Sequence, residues 1–255
     1  MAEPRSEIPA ATLVAFRHGP AGSPPELLMV VRSNTMSFAG GMAVFPGGRV
    51  DPADRELAAT TGAADVDEAA HRIAALRETI EETGLAPGLR ERLTADEVRD
   101  LRADVAREGS LAPALARRGL SLDLDRLVPF ARWCPRGMSH ARIFDTRFYL
   151  TDLGTGAVDT AVDATENTRL FWISARDALV QADRDALSVI FPTRRNLERL
   201  AQYASFAEAE ADARAHPVRL IVPRVEEREG RQVLVIPDGL GYPITYEAID
   251  TAQRG

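Results

Sequence analysis

Lysine is missing from the chain: across 255 residues, all 31 positions counted as lysine or arginine hold arginine. Its absence removes lysine Schiff-base chemistry and the P-loop lysine that many nucleotide-binding proteins set against a phosphate. Cysteine is almost missing too. Cys134 stands alone, which excludes an internal disulfide and a purely thiolate metal site, and it reads as a small buried apolar residue. No apolar run approaches the roughly 18 residues of a membrane span. The N-terminal "MAEPRSEIPAATLVAF" lacks a basic region followed by a long apolar core, and the final "QRG" is neither a peroxisomal nor a reticulum retrieval signal. The expectation is a cytoplasmic protein with no membrane partner. Excess positive charge is also lacking. A net charge of -7 argues against nucleic-acid binding, which draws largely on basic surface. A phosphorylated small molecule stays compatible with that charge if a divalent cation bridges the two.

What remains is an ordinary globular composition, 45% hydrophobic and 27% charged, in a chain long enough for a substantial core. "TLVAF" and "ELLMVVRS" read as strands, followed by the glycine-rich "FAGGMAVFPGGRVDP". A helix is expected from about Asp65 to Thr83, with Asp65 and Glu68 as a capping box and Gly84 as its stop. "TADEVRDLRADVAREG" and "LAPALARRGL" suggest short helices of an inserted segment. "RLVPFARWCP", "RIFDTRFYLTDL" and "RLFWIS" return to strand character. "ARDALVQAD" and one long stretch, "FPTRRNLERLAQYASFAEAEADARA", read as helical, and "VRLIVPRVEEREGRQVLVIP" as a closing hairpin with "EEREG" as its solvated turn. With no repeats and no clear linker, the reading is one domain over residues 1–215, a helical insertion at about 91–120, and residues 216–255 as a hairpin extension of that domain.

"RETIEETGL", Arg77 to Leu85, packs three glutamates into little more than one helical turn, although like charges at that spacing repel. At ~100° per residue, Glu78, Glu81 and Glu82 share one narrow arc, while Ala69, Ile73, Leu76 and Ile80 form a stripe opposite, expected to face the core. Ala74 and Ala75, one turn earlier on the acidic side, are expected to leave open space. Oxygen-only ligands of this kind suit Mg²⁺ or Mn²⁺. A merely solvated acidic face is the alternative.

These residues match the second half of the Nudix box, G-x5-E-x7-R-E-U-x-E-E-x-G-U, at Arg77, Glu78, Glu81, Glu82, Gly84 and Leu85, with "FPGG" upstream. The chain therefore resembles the Nudix hydrolases, α/β/α sandwiches with a mixed central sheet that cut nucleoside diphosphates linked to another moiety. It departs from the box in three places. Residues 49–76 separate Gly48 from Arg77, about 15 more than the pattern allows; the box's first glutamate falls on Ala69; and Thr79 replaces an aliphatic residue. "RSNTMSFAGGMAVFPGG" is similar to the coenzyme A diphosphatase signature R-S-x3-R-x3-G-x3-F-P-G-G, with Ser37 in place of the second arginine. "RWCPRGMSHARIFDTRFYL" and the insertion in the box are similar to the animal peroxisomal branch of those enzymes.

The resemblance implies that Glu78, Glu81 and Glu82 hold Mg²⁺ or Mn²⁺, that Arg77 orients a glutamate, and that Gly47 and Gly48 bring backbone to the cation and phosphates. The general base is either Glu82 or Glu166, six residues before Trp172; the sequence does not choose between them. Arg32, Phe45, Gly47, Gly48 and Arg147 are expected at the substrate, with Arg142 as a further phosphate candidate. "RIFDTRF" also permits a purely internal Asp145–arginine pair, the favoured of the two readings. His140 reads as structural, and Trp133 and Phe130 as core. The expected function is metal-dependent cleavage of a diphosphate linkage, with coenzyme A or acyl-coenzyme A favoured and NADH, ADP-ribose or nucleotide sugars as alternatives. A non-catalytic nucleotide-binding regulatory domain and an acidic helical interaction module are the readings outside enzymes. A homodimer is compatible with the family.

Overall fold

Apolar side chains on both faces of "AATLVAF" and "LLMVV" suit strands covered from both sides. They form the inner strands β1 (Glu7–Arg17) and β2 (Glu26–Arg32) of a mixed sheet. The computed structural model describes residues 7–19, 22–34, 39–136, 142–154 and 167–249. The sheet also takes in β3 (Ala43–Val44), β4 (Gly47–Arg49), β5 (Val128–Trp133), β6 (Ile143–Asp152), β7 (Asn167–Ser174) and β8 (Leu220–Ile221). β1 runs parallel to β6 from Glu7↔Ile143 to Phe16↔Asp152; β5 lies antiparallel beyond β6, and β8 parallel beyond β5. On its other edge β1 meets β2 only at Phe16↔Leu27 and Arg17↔Glu26. From there the two strands take different partners. β2 goes on to β3 at Val30 and Val31, while β1 takes β4 at Ala10, Ala11 and Thr12. The strip from Val44 to Gly47 crosses between them, with the Leu13 N–H donating to the Pro46 carbonyl.

Helices cover both faces. On one lie α1 (Pro52–Thr60), α2 (Val66–Thr83), α3 (Ala95–Glu108) and α4 (Leu111–Arg118). On the other lie α5 (Ala175–Asp183), α6 (Phe191–Leu200) and α7 (Phe206–Ala215). The result is the α/β/α sandwich expected from the sequence. Asp65 caps α2 by accepting the Glu68 N–H at 2.9 Å, and Gly84 ends it at φ +71°. The expected capping box closes on one side only, because the Glu68 carboxylate turns to Arg72 and Arg147.

The packing of α2 differs from its sequence reading. Ala74 and Ala75 do not front open space: they are fully buried against Ala11, Leu13, Leu127 and Tyr149, where small side chains let the helix lie close on the sheet. The stripe Ala69, Ile73, Leu76 and Ile80 is buried as expected, in a core shared with α1, α3 and α4. α2 is thus buried on two sides, and only the arc with the glutamates reaches the cleft described below. α1 was not evident from the sequence. The long C-terminal helix is two helices, because Ser205 starts α7 by accepting the Glu208 N–H while the Glu208 carboxylate accepts the Ala204 N–H.

The closing hairpin is present as β9 (Arg224–Arg228) and β10 (Arg231–Val235), turning at Glu229 and Gly230, with β11 (Tyr246–Ala248) added to β10. Leu234, Ile236, Leu240 and Tyr242 join the main core with Trp133 and Phe130. The Tyr242 hydroxyl donates to Asn196 Oδ1 at 2.8 Å and accepts from Trp133 Nε1 at 3.2 Å. Buried Arg195 bonds Glu198 at 2.7 Å and Glu247 at 3.0 Å, tying α6 to β11.

Candidate active site

Arg77 is the hub of the acidic helix. Only 4% exposed, it spends its donors on five acceptors with nothing left for a ligand. Nε and Nη2 grip both oxygens of Asp54 at 3.1 and 3.0 Å. Nη1 donates to Glu78 Oε1 at 3.0 Å and Glu81 Oε2 at 2.9 Å, and Nη2 also reaches the Arg49 carbonyl at 2.9 Å. Arg77 therefore orients two glutamates, and although it borders the cleft described below it has no donor to spare for a ligand. Asp54, at the start of α1, was missed in the sequence. Its signal was the box counted forward: from Gly48, G-x5-E falls on Asp54, an aspartate in place of the glutamate and ahead of the inserted residues, in the helix start "DPAD".

The third glutamate is held differently. Glu82 is buried, and its Oε2 accepts the Gly47 N–H at 3.1 Å. At Gly48 a Cβ would run into the Glu78 carboxyl group, and at Gly47 one would collide with the Ala11 carbonyl. The two glycines let β4 pass between β1 and the acidic arc of α2. Burial pushes the Glu78 carboxyl up to about 8; Arg77 opposes this, while Glu82 and Glu81 add to it. Burial raises Glu81 as well, again against Arg77. The donor set fits a hard divalent cation: it is all oxygen, and burial disfavours the charged form of Glu78 and Glu81, which a cation beside them would offset. Among the described residues no three such side chains yet converge as a metal cage. Glu78 and Glu81 lean on Arg77 while Glu82 leans on Gly47.

Glu78 and Glu81 open onto a cleft of about 590 Å³, within the range of small-molecule sites. Glu78, Glu81, Gly47 and Gly48 line one side of it; Phe45, Trp133, Phe144, Phe148, Ile190 and Pro192 supply an apolar wall. Arg32 and Arg142 also line it. The buried Nε of Arg32 has no hydrogen-bond partner among the described residues, nor has either side-chain polar atom of Asn167, its partner across a β-bulge.

Arg147 is elsewhere. Phe144, Thr146 and Phe148 point β6 into the cleft, so the alternation of a strand turns Arg147 to the α2 face, where Glu68 at 2.7 Å and Asp67 hold it. Its expected substrate contact is corrected on that ground. Asp145 pairs across strands with Arg132 of β5, at 2.8 and 2.6 Å. Phe130 and Trp133 are buried as expected, and Trp133 lines the cleft as well. Ser37, His140 and Glu166 lie outside the described residues.

Among solved structures, a NUDIX hydrolase from Alicyclobacillus acidocaldarius shares 32% identity and a TM-score of 0.70, covering 81% of this chain and 96% of that one. The chain belongs to the Nudix hydrolases. The match takes in most of this chain. The acyl-coenzyme A diphosphatase NUDT19 of Gallus gallus is 28% identical over 234 residues. That alignment covers 71% of this chain and 62% of the relative, so the chain spans less than two thirds of that protein's length. No protein-family model matches the chain. Among the described residues no helix is long and apolar enough to cross a membrane.

Proposed function

We propose that this Nudix hydrolase cleaves the diphosphate linkage of a nucleoside diphosphate derivative, with acyl-coenzyme A or coenzyme A as the favoured substrate. The observation that carries the reading is the meeting of the Arg77-held glutamates with an arginine-bearing, largely apolar cleft. Glu78, Glu81 and Glu82 would hold Mg²⁺ or Mn²⁺. Bound there, the cation supplies charge against the phosphoryl oxygens and lowers the pKa of an attacking water.

The remaining work falls to the chain itself. Gly47 and Gly48 keep β4 close enough for the diphosphate to reach the glutamates without a side chain between them. Arg32, with a buried donor unsatisfied, is suited to a phosphate oxygen. Phe45 and the apolar wall suit the rest of a substrate that is not all charge. Glu82 or Glu166 takes the proton of the attacking water. The similarity to an acyl-coenzyme A diphosphatase and the "RSNTMSFAGGMAVFPGG" stretch support coenzyme A over other diphosphates.

The test is incubation with Mg²⁺ or Mn²⁺ and a panel of coenzyme A, acyl-coenzyme A, NADH, ADP-ribose and sugar nucleotides, with products identified by mass spectrometry. Coenzyme A is expected to give adenosine 3′,5′-bisphosphate and a 4′-phosphopantetheine compound, and Glu81→Gln and Glu82→Gln to abolish it. Preferred cleavage of another diphosphate overturns the substrate. No cleavage of any compound overturns the hydrolase reading.

A further inference from the structure

We propose that Arg49 is a specificity-determining residue: its side chain recognises a phosphomonoester that the substrate carries on its ribose, apart from the diphosphate that is cut. The inference rests on the diphosphate-cleaving reading above. It narrows the substrate class to nucleotides with a further phosphate, which coenzyme A has and NADH, ADP-ribose and sugar nucleotides lack.

Strand pairing sets the position. Arg49 ends β4 opposite Ala10 of β1, which stands opposite Thr146 of β6. Residues directly opposite in neighbouring strands send their side chains to the same face. Ala10 and Thr146 both line the cleft, and so does Arg49. Its backbone is fixed from behind, since the Arg49 carbonyl accepts from Nη2 of buried Arg77 at 2.9 Å. The side chain is exposed, and among the described residues no carboxylate takes its guanidinium. Asp51, the nearest acid along the chain, leans on Arg77 at 3.4 Å.

The other arginines of the cleft leave this one a separate task. Arg77 has its donors taken by Asp54, Glu78, Glu81 and the Arg49 carbonyl. Arg32, with its unpartnered Nε, is assigned above to the diphosphate. Arg49 follows Gly48, whose backbone abuts the Glu78 carboxyl, so about one arginine side chain separates its guanidinium from the acidic edge. In coenzyme A the 3′-phosphate lies one ribose away from the diphosphate, a span of the same order. A phosphomonoester is close to doubly charged at neutral pH, and a guanidinium matches its oxygens two at a time. Arg49 thus offers such a group a charge-assisted pair that a ribose hydroxyl cannot replace.

The test sets coenzyme A against 3′-dephospho-coenzyme A in turnover. In parallel, calorimetry on the substrate-free protein sets adenosine 3′,5′-bisphosphate against adenosine 5′-monophosphate. Wild type is expected to favour the 3′-phosphorylated member of each pair by about tenfold or more, the usual weight of a hydrogen bond to a charged group. The turnover difference should lie in KM more than in kcat, as for a contact remote from the reacting atoms. Arg49→Gln should bring both ratios close to one, and Arg49→Lys should keep part of the preference. Arg55→Ala, which removes an arginine paired with exposed Asp67, should match wild type. Because Arg49 is exposed, added salt should shrink the wild-type ratios and leave those of Arg49→Gln unmoved. Wild-type ratios close to one overturn the proposal, and so does a wild-type preference that survives in Arg49→Gln. Equal cleavage of coenzyme A and its dephospho form removes Arg49 from recognition while the hydrolase reading stands. Cleavage of neither, with an Arg49-dependent preference for the bisphosphate in calorimetry, overturns the hydrolase reading and keeps the phosphate site.

Discussion

At Gly48 a hydrogen stands where any other residue would press on the Glu78 carboxyl. The obstacle would be the far end of a flexible side chain, so the backbone can accept Gly48→Ala by letting Glu78 swing away. The expected outcome is a melting temperature close to wild type with kcat/KM down about 100-fold, the scale of loss for a displacement of about an ångström in a reacting constellation. A matched thermal melt and steady-state assay check it. Glu78 also gives the metal-free protein a pH signature. Its carboxyl keeps a proton in the folded chain up to about 8, while the unfolded chain releases it near the ordinary 4.5. The contribution is therefore fully favourable below 4.5 and is lost as pH rises towards 8. Glu198, pushed up to about 7 by burial against the pull of Arg195, gives a second decline that ends earlier. In chelator-treated protein the melting temperature should fall from pH 5 to pH 8. Glu78→Gln should remove the part of that slope above pH 7, and added Mn²⁺ should flatten it.

At the scale of elements, α2 shows what a sequence pattern conveys and what it omits. Its ends were legible because Asp65 and Gly84 act within a few residues of themselves. Its glutamate arc was legible because periodicity alone sets it. The assignment of its other faces was not, since periodicity says that Ala74 and Ile73 differ in direction, not whether sheet or helix lies opposite. α1 escaped notice because it is nine residues long with only Asp54 and Ala58 buried, too little for a periodic signal. Arg147 was misread for a related reason: guanidinium chemistry is visible in sequence, but the face of β6 it occupies depends on the register of the whole sheet. Thr79, out of pattern for the box, is fully buried and donates its hydroxyl to the Ala75 carbonyl at 2.7 Å. Such a bond adds little, because that carbonyl already serves the helix. Thr79→Val is expected to leave activity intact and to move the melting temperature by no more than about 3 °C, a free-energy change of about 1 kcal/mol or less.

For the whole molecule, the C-terminal residues matter more than a surface hairpin would. β8 extends the main sheet, and Leu234, Ile236, Leu240 and Tyr242 are among the core side chains. Truncation after residue 215 should strip that cover from Trp133 and take Glu247 from Arg195, leaving it Glu198 alone. The shortened chain is expected to be insoluble or to lack a cooperative melt. Tyr242→Phe, a far milder change, removes one hydroxyl that serves both Asn196 and Trp133 and should cost about 1–3 kcal/mol in denaturant unfolding.

The parallel pairing of β1 with β6 also bears on time. Glu7, among the first described residues, finds its neighbour only at Ile143, and β8 closes beyond β5 after residue 219. A chain emerging from the ribosome would thus hold β1 unpartnered along that edge until synthesis had passed Ile143. Pairing between such distant segments is slow and leaves a strand edge exposed meanwhile. Synthesis therefore sets the earliest moment at which the glutamates and their cleft can meet, and a nascent chain halted before β6 is a natural client for a chaperone.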